Sequence, residues 1–352
     1  MMRNLSWFNK LMFFFNIVLT VLTIMGYALP FLAPKTFPLL SVLTLFLPMM
    51  LIINMLYFIF WGIQFKRHIL LSGIVLLLGI PFINKFYKFS SPQYKEAVDD
   101  IKVMSYNVRL FNKFEWSEKK TVPIEISDFV KLKQPDILCI QEFSNAAEFD
   151  YSHFKHQFVL FKGNKIKTGQ AIFSNFKIIN SGEIVFPNSN NNVIFADLKR
   201  EKDTVRVYNM HLQSISITPE VNKLNDNIEG IDKKRSERMF KRLSTAFKLQ
   251  QQQAEILMKH RNKCNYPIII CGDMNNSAFS YVYRIIRGNL QDSFEEAGRG
   301  FGKSYDFKYY PARIDYIFVD KKFKVEHFNN FPEIVDSDHF PILTVLSPAG
   351  KE

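Results

Sequence analysis

Residues 267–277 read PIIICGDMNNS. Three consecutive isoleucines and Cys271 predict a short buried strand. Gly272 lets the backbone turn where the strand stops. Asp273 and Asn275 then stand at its mouth, two apart, and share a face if the chain stays extended. A carboxylate and an amide so placed could hold a water and a phosphoryl oxygen side by side. An Asx-rich turn that merely caps a core strand has the same sequence. The two readings separate only if other strands end in matching partners.

Several other segments end in the same way. IKVMSYNVRL (101–110) alternates as a strand does, with Asn107 and Arg109 on one face near its end. A short helical pattern spans 127–133. DILCIQEF (136–143) is a buried run closed by Gln141 and Glu142, and a terminal Glu is costly to bury unless paired or bound to metal. Residues 169–174 and 193–198 predict two more strands. TVRVYNMHL (204–212) is a strand ending at Asn209 and His211. RIDYIFV (313–319) carries Asp315 near its start, and SDHFPIL (337–343) places Asp338 and His339 just ahead of the last strand.

Charge is unevenly placed along the 352 residues. The first 95 hold eight Lys or Arg and no Asp or Glu, which leaves 37 basic against 33 acidic residues beyond them. The net charge of +12 therefore belongs mostly to the N-terminal part. That weakens the inference from overall basicity to nucleic-acid binding. Residues 213–232 predict a polar loop, and 233–263 a long helix with ten basic residues. Its basic side is a solvated face or a surface for anionic lipid or polyanion. Cys139 and Cys271 sit in apolar runs, and the three cysteines form no disulfide or zinc pattern.

The N-terminal part predicts a membrane anchor. Residues 11–33 and 37–63 are uncharged runs of 23 and 27 residues. At 1.5 Å per residue, about 20 residues cross a hydrocarbon core of about 30 Å. Pro48 predicts a kink in the second run. A third run, 69–83, is only 15 residues long and reads as a full span with snorkelling flanks or as an interfacial or re-entrant helix. Arg3, Lys10, Lys66 and Arg67 against the single Lys35 put the N-terminus and the second loop in the cytoplasm. Three spans then place the rest of the chain outside the cytoplasmic membrane, and two place it inside. The expected organisation is a transmembrane region at 1–90 with two to three helices (about 11–33, 37–63 and 69–85), a linker at 91–100 and a catalytic domain at 101–348.

Asn107, Glu142, His211, Asp273, Asn275, Asp315, Asp338 and His339 together make a phosphate-ester inventory. A hard divalent cation takes one or two carboxylates, and Glu142 suits it. Asp273 suits the handling of the attacking water. Asn107, Asn275, His211 and His339 suit the charge that builds on the phosphoryl group. Asp315 could hold His339 in one tautomer. No serine or cysteine nucleophile motif, glycine-rich phosphate loop or HExxH is present.

SYNVR (105–109), IQEF (140–143), GQAIFSN (169–175), NMHL (209–212), GDMN (272–275), RIDYIF (313–318) and SDHFP (337–341) also occur in an informative order. Together they resemble the motifs of the endonuclease/exonuclease/phosphatase superfamily across residues 101–346. The resemblance implies an α/β (α+β) fold, a four-layer sandwich of two packed β-sheets flanked by helices, here preceded by the transmembrane region. It implies Glu142 as the main Mg2+ ligand (Mn2+ substituting), with Asn107 close to it and Asp338 on the metal side. It implies Asp273 activating water, Asn275 on the phosphate, and His339 at the scissile phosphate supported by Asp315. His211 matches the phosphate-side histidine or general acid of the deoxyribonuclease and sphingomyelinase branches. In the abasic-endonuclease branch that place is typically a tyrosine, so His211 points away from base repair. Arg109 stands where some members carry an acidic second metal ligand, which implies one metal. SNFKI (174–178) departs from the usual S-K-x-P form outside the site. The implied activity is a membrane-anchored phosphodiesterase whose partners are the membrane and a nucleic-acid or phospholipid substrate. The rival is a non-catalytic membrane protein that uses this fold and the basic helix as a binding surface.

Overall fold

The computed structural model describes residues 5–95, 97–145, 148–163, 167–215, 233–308 and 310–348. The chain divides into two compact units. One comprises Met1–Phe86, Ser216–Gln251 and Ala278–Arg284; the other comprises Tyr87–Ile215, Gln252–Ser277 and Ile285–Glu352.

The first unit carries the apolar helices. Trp7–Phe31 and Pro38–Ile63 are both long and apolar enough to cross a membrane. The second contains a break, a 3-10 turn over Thr44–Phe46 directly before the helix Leu47–Ile63. Pro48 thus falls in a first helical turn, where its missing N–H leaves no bond unmade. The third run forms two helices, Ile69–Leu78 and Ile80–Phe86, bent by 69°. Side chains such as Met25, Leu56, Ile63 and Leu70 face outward from these helices. Polar bonds join the helices inside. Asn16 Nδ2 donates to Ser72 Oγ at 2.8 Å, Trp61 Nε1 to Asn16 Oδ1 at 3.0 Å, and Asn54 Nδ2 to Thr23 Oγ1 at 2.9 Å. Such bonds satisfy groups that hydrocarbon would leave unpaired.

The basic helix is Lys233–Arg261. It buries Leu243, Ala246, Phe247 and Gln250 and leaves Arg238, Lys241, Arg242 and Lys248 exposed. Ser244 Oγ donates to the Pro38 carbonyl at 3.2 Å, and the Lys35 N–H to Gln251 Oε1 at 2.8 Å. Most of the polar loop expected at 213–232 lies outside the described residues.

The second unit is a sandwich of two six-stranded sheets. Its strands in chain order are β1 (Ile101–Asn107), β2 (Ile137–Phe143), β3 (His156–Lys162), β4 (Thr168–Ser174), β5 (Lys177–Val185), β6 (Asn192–Arg200), β7 (Asp203–His211), β8 (Ile268–Asp273), β9 (Gln291–Asp292), β10 (Asp315–Val319), β11 (Phe323–Asn330) and β12 (Ile342–Pro348). One sheet runs β11-β12-β1-β2-β4-β3, the other β5-β6-β7-β8-β10-β9. Val103, Cys139 and Ile172 of the first meet Ile194, Val207, Ile269 and Ile317 of the second in one core. The opposite face of β1 and β2 buries Met104, Tyr106, Leu138 and Ile140 with Ile126, Phe129 and Val130 of the helix Val122–Lys133. Burial on both faces is why DILCIQEF and PIIICGD read as continuous apolar runs instead of alternating ones. The helix starts five residues earlier than its sequence pattern, with Pro123 in its first turn. The expected two-sheet sandwich flanked by helices is the fold observed.

Register sets the site. β7 runs parallel to β8 and pairs His211 with Asp273, while β10 runs antiparallel to β8 and pairs Asp315 with the same Asp273. Three functional-looking residues therefore lie side by side at one sheet end.

Candidate active site

The end of β8 is shaped by Gly272. Its φ is +128°, and a Cβ there would lie 2.0 Å from the Met210 carbonyl oxygen. Only glycine permits both that dihedral and that approach of β8 to β7. Asp273 follows, 1% exposed. Its Oδ2 accepts from Asn107 Nδ2 at 3.1 Å and Asn275 Nδ2 at 3.0 Å, and its Oδ1 from the Asn275 N–H at 2.7 Å. Two imidazoles flank it. His339 Nε2 is 3.7 Å and His211 Nε2 3.8 Å from Asp273 Oδ2. His339 Nδ1 lies 2.9 Å from Asp315 Oδ2. His211 Nε2 also lies 3.7 Å from Glu142 Oε1. Glu142 has φ +50° in an irregularity of the β2–β4 pairing, which turns it off the regular strand. Asp338 Oδ2 meets Arg109 Nη1 at 3.4 Å.

Every residue singled out from the sequence is thus drawn into one cluster. The two asparagines serve mainly to hold their neighbours. Asn275 Nδ2 donates to both Asp273 and the Leu212 carbonyl, so it clamps Asp273. Asn107 bridges Asp273 to the Arg109 N–H, which its Oδ1 accepts at 3.1 Å.

Electrostatics divides the labour. Burial raises Asp273, the charges of His339, Asp315 and His211 modify that, and its pKa settles at about 6. Burial alone would lower His339, but Asp315 and Asp273 outweigh it and lift it to about 10. Burial lowers His211 despite the nearby Asp273. Glu142 is raised, first by burial, against the favourable field of His339. At neutral pH the cluster therefore holds one imidazolium, one neutral imidazole and a buried carboxylate between them.

Among the described residues, two groups could hold a metal. Ligand atoms of Asp273, Asp315 and His339 lie within 4.8 Å of one another. In that group the side chains are already paired with one another, His339 Nδ1 with Asp315 Oδ2 at 2.9 Å and His339 Nε2 near Asp273 Oδ2 at 3.7 Å. Glu142, Asp338 and the Asn107 amide instead present hard oxygen donors. Glu142 and Asp338 are half-buried, and the negative charge of Asp338 acts on Glu142. That donor set fits a hard divalent cation.

Beneath the site, Gln141 Nε2 donates to Asn209 Oδ1 at 2.6 Å, and Asn209 Nδ2 donates to the carbonyls of Ile140 and Ala171. These strand-end amides stitch the two sheets. Ser337 Oγ donates to the Asn107 carbonyl at 2.8 Å and accepts from the His339 N–H at 3.2 Å, fixing the entry to β12 against β1.

Sequence reasoning missed Ser304, Tyr305 and Trp116. Ser304 Oγ accepts from the N–H groups of Ile314 and Asp315 at 3.0 Å each. The Tyr305 ring lies 4.9 Å from that of His339. Both sit in an irregular segment without periodicity, which gave no signal. Trp116 lies under the Arg109 guanidinium at 4.6 Å. Arg109, Leu110, Phe111 and Asn112 all have positive φ, between 43° and 59°. A left-handed residue costs about 1–2 kcal/mol, so four in succession need support. Ser144 Oγ donates to the Leu110 carbonyl at 2.9 Å, and Phe111 packs against Phe143 and Phe149. Asn112 closes the loop by donating to the carbonyls of Ser117 and Lys119 at 2.8 Å.

Two packed sheets with a carboxylate–imidazole–carboxylate set at their strand ends define an α/β sandwich of a known kind. A model described as the endonuclease/exonuclease/phosphatase family matches residues 104–339, and the chain belongs to that family. A second model, a domain of unknown function (DUF8431), matches residues 9–86. No curated protein matches the sequence. Among solved structures, an endonuclease/exonuclease/phosphatase protein from Beutenbergia cavernae aligns with TM-score 0.52 and 15% identity, covering 72% of each chain. D. rerio TDP2, complexed with a single-strand DNA product, aligns with TM-score 0.52 and 15% identity over 70% of this chain and 99% of its own. The human Nocturnin catalytic domain aligns with TM-score 0.51 and 18% identity over 71% and 94%. At these identities the likeness is one of fold. Enzymes of this family hydrolyse phosphodiester or phosphate ester bonds and typically use divalent metals.

Proposed function

We propose that this chain is a membrane-anchored, divalent-metal-dependent phosphodiesterase that hydrolyses its substrate by attack of water. The observation that carries this reading is Asp273, a buried carboxylate held by two asparagines between His211 and His339. Asp273 accepts the proton of the attacking water. Protonated His339, oriented by Asp315, donates to a phosphoryl oxygen as charge builds there. Neutral His211, 3.8 Å from Asp273, receives the proton taken from water and passes it to the leaving oxygen, which departs as an alcohol. Asn107 and Asn275 keep Asp273 aimed. Glu142, Asp338 and Asn107 would hold Mg2+, or Mn2+ in its place. When bound, the ion neutralises phosphoryl oxygens that the chain's own cations leave uncovered.

The test is hydrolysis of bis-p-nitrophenyl phosphate by the full chain in detergent with Mg2+. EDTA is expected to abolish turnover, and Glu142→Gln to lower it by at least about tenfold through weakened metal binding. Turnover that ignores both treatments sinks the proposal. Mg2+ binding by calorimetry, lost in Glu142→Ala, would also count against the rival reading as a non-catalytic binding surface.

The substrate class rests on two supports. The DNA product bound to D. rerio TDP2 favours nucleic acid. The apolar helices, and a sequence near charge balance beyond residue 95, favour a phospholipid head group. Plasmid DNA, sphingomyelin and phosphoinositides compared in one assay separate them.

For topology, we take the bent pair Ile69–Leu78 and Ile80–Phe86 as one broken span, which puts the catalytic part on the extracytoplasmic side of a bacterial-type cytoplasmic membrane. A C-terminal alkaline phosphatase fusion should then be active and a green fluorescent protein fusion dark; the reverse pattern means two spans.

A further inference from the structure

The strongest unexplained feature beside the site is the loop that carries Arg109. Its backbone holds four consecutive left-handed residues, closed by Asn112 and anchored by Ser144. Strain of this kind persists only where surrounding contacts over-determine it, and it gathers at sites of function. The result is a guanidinium fixed on two sides. Its flat face lies on Trp116, 4.6 Å from the ring centroid. One edge meets Asp338 Oδ2 at 3.4 Å, and the side chain remains 37% exposed.

Charge balance gives this guanidinium a task. Glu142, Asp273, Asp315 and Asp338 bring four carboxylates to the site. Arg109 offsets part of that negative charge, and its field reaches Glu142 as well as Asp338. A phosphate ester is itself an anion and enters a neutral site more readily than a negative one.

We propose that Arg109, braced on Trp116 and tethered to Asp338, is a further residue of this site that binds phosphoryl oxygens of the substrate, beside His339. This inference rests on the phosphodiesterase reading above. The guanidinium presents a planar fork that suits two oxygens of one phosphate, and the stacked ring prevents it from swinging away. Its contact with Asp338 positions it beside the other candidate cation donors. The chemistry recognised is a tetrahedral oxyanion, so the phosphomonoester product, and inorganic phosphate as its analogue, should also be held here.

The test uses inorganic phosphate as the probe, measured by calorimetry on the full chain in detergent with Mg2+. Arg109→Ala is expected to weaken phosphate binding at least tenfold, and Arg109→Lys to give an intermediate affinity because the charge remains but the fork is lost. Mn2+ affinity, titrated separately, should be unchanged or tighter in Arg109→Ala, since Asp338 loses a competing cation. Wild-type binding with equal phosphate affinity in a folded Arg109→Ala overturns the assignment alone. Phosphate binding by no form of the protein overturns the phosphoesterase reading along with it. Loss of Mn2+ affinity together with phosphate affinity in both variants shows Arg109 to be a structural support of the acidic side chains, which also overturns the assignment.

Discussion

Asp273→Asn is expected to lower the turnover number by about 10²–10⁴-fold, the range lost when a positioned general base is removed, while the protein stays folded. Asn is isosteric, and its oxygen keeps the bonds from the Asn107 and Asn275 side chains, while its NH2 gives up the one from the Asn275 N–H. What is lost is the charge that takes a proton from water and helps keep His339 protonated. The same residue sets the acid limb of the pH profile. Asp273 must be ionised to act, and its pKa lies at about 6, so activity falls as pH drops below that value. A cation held by Glu142 would lower that pKa, so the loaded enzyme's limb lies at or below pH 6. His339 must be protonated to act, so activity also falls as pH rises through about 10. Circular dichroism and initial rates on the same preparation check both points. A folded Asp273→Asn protein with a rate within threefold of wild type would remove Asp273 from the mechanism.

Gly272→Ala is expected to be the most damaging single methyl addition in the sandwich. The added carbon meets the Met210 carbonyl oxygen at 2.0 Å and its nitrogen at 2.8 Å, both backbone atoms of the paired strand. No rotamer change relieves a backbone clash, and φ +128° is closed to a side-chain-bearing residue. The chain must therefore part β7 from β8 or fail to fold, at a cost on the order of 4 kcal/mol or more. Gly300→Ala is the matched control. Gly300 also has positive φ, +69°, but a Cβ there meets nothing within 4 Å. Its cost should stay near the about 1 kcal/mol of left-handed strain. Thermal melting of the two variants decides the matter. Equal midpoints would mean that the close approach of β8 to β7 is not a folding constraint.

Much of the site was legible because it is built from strand ends. A buried strand is recognisable by its apolar run, and the polar residue that stops the run stands out. Glu142, His211, Asp273 and Asp338–His339 were all found in this way. The resemblance then ordered them, since seven short motifs in sequence carry more information than any one. What failed to show was irregular backbone. Ser304 and Tyr305 sit beside Asp315 and His339 through a bridge to residue 339, and nothing in their local pattern announces that. β3, β5, β11 and the two-residue β9 went unpredicted. β3 and β5 are the outermost strands on one side of their respective sheets and β11 on the other side of the first, so they are partly exposed and carry weak patterns.

Composition alone determined that the N-terminal part is apolar enough to cross a membrane, because two uncharged runs of sufficient length need no tertiary information. Local pattern determined the strand ends and so the list of chemical groups. Tertiary structure decided their relationships. Strand register put His211 and Asp315 beside Asp273, two residues separated from it by 62 and 42 positions in the chain. It also turned the amide of Asn275 onto Asp273 and laid Arg109 across Trp116 toward Asp338. Hydrogen-bond direction and backbone strain depend on what the folded chain brings into contact, and no local reading contains that.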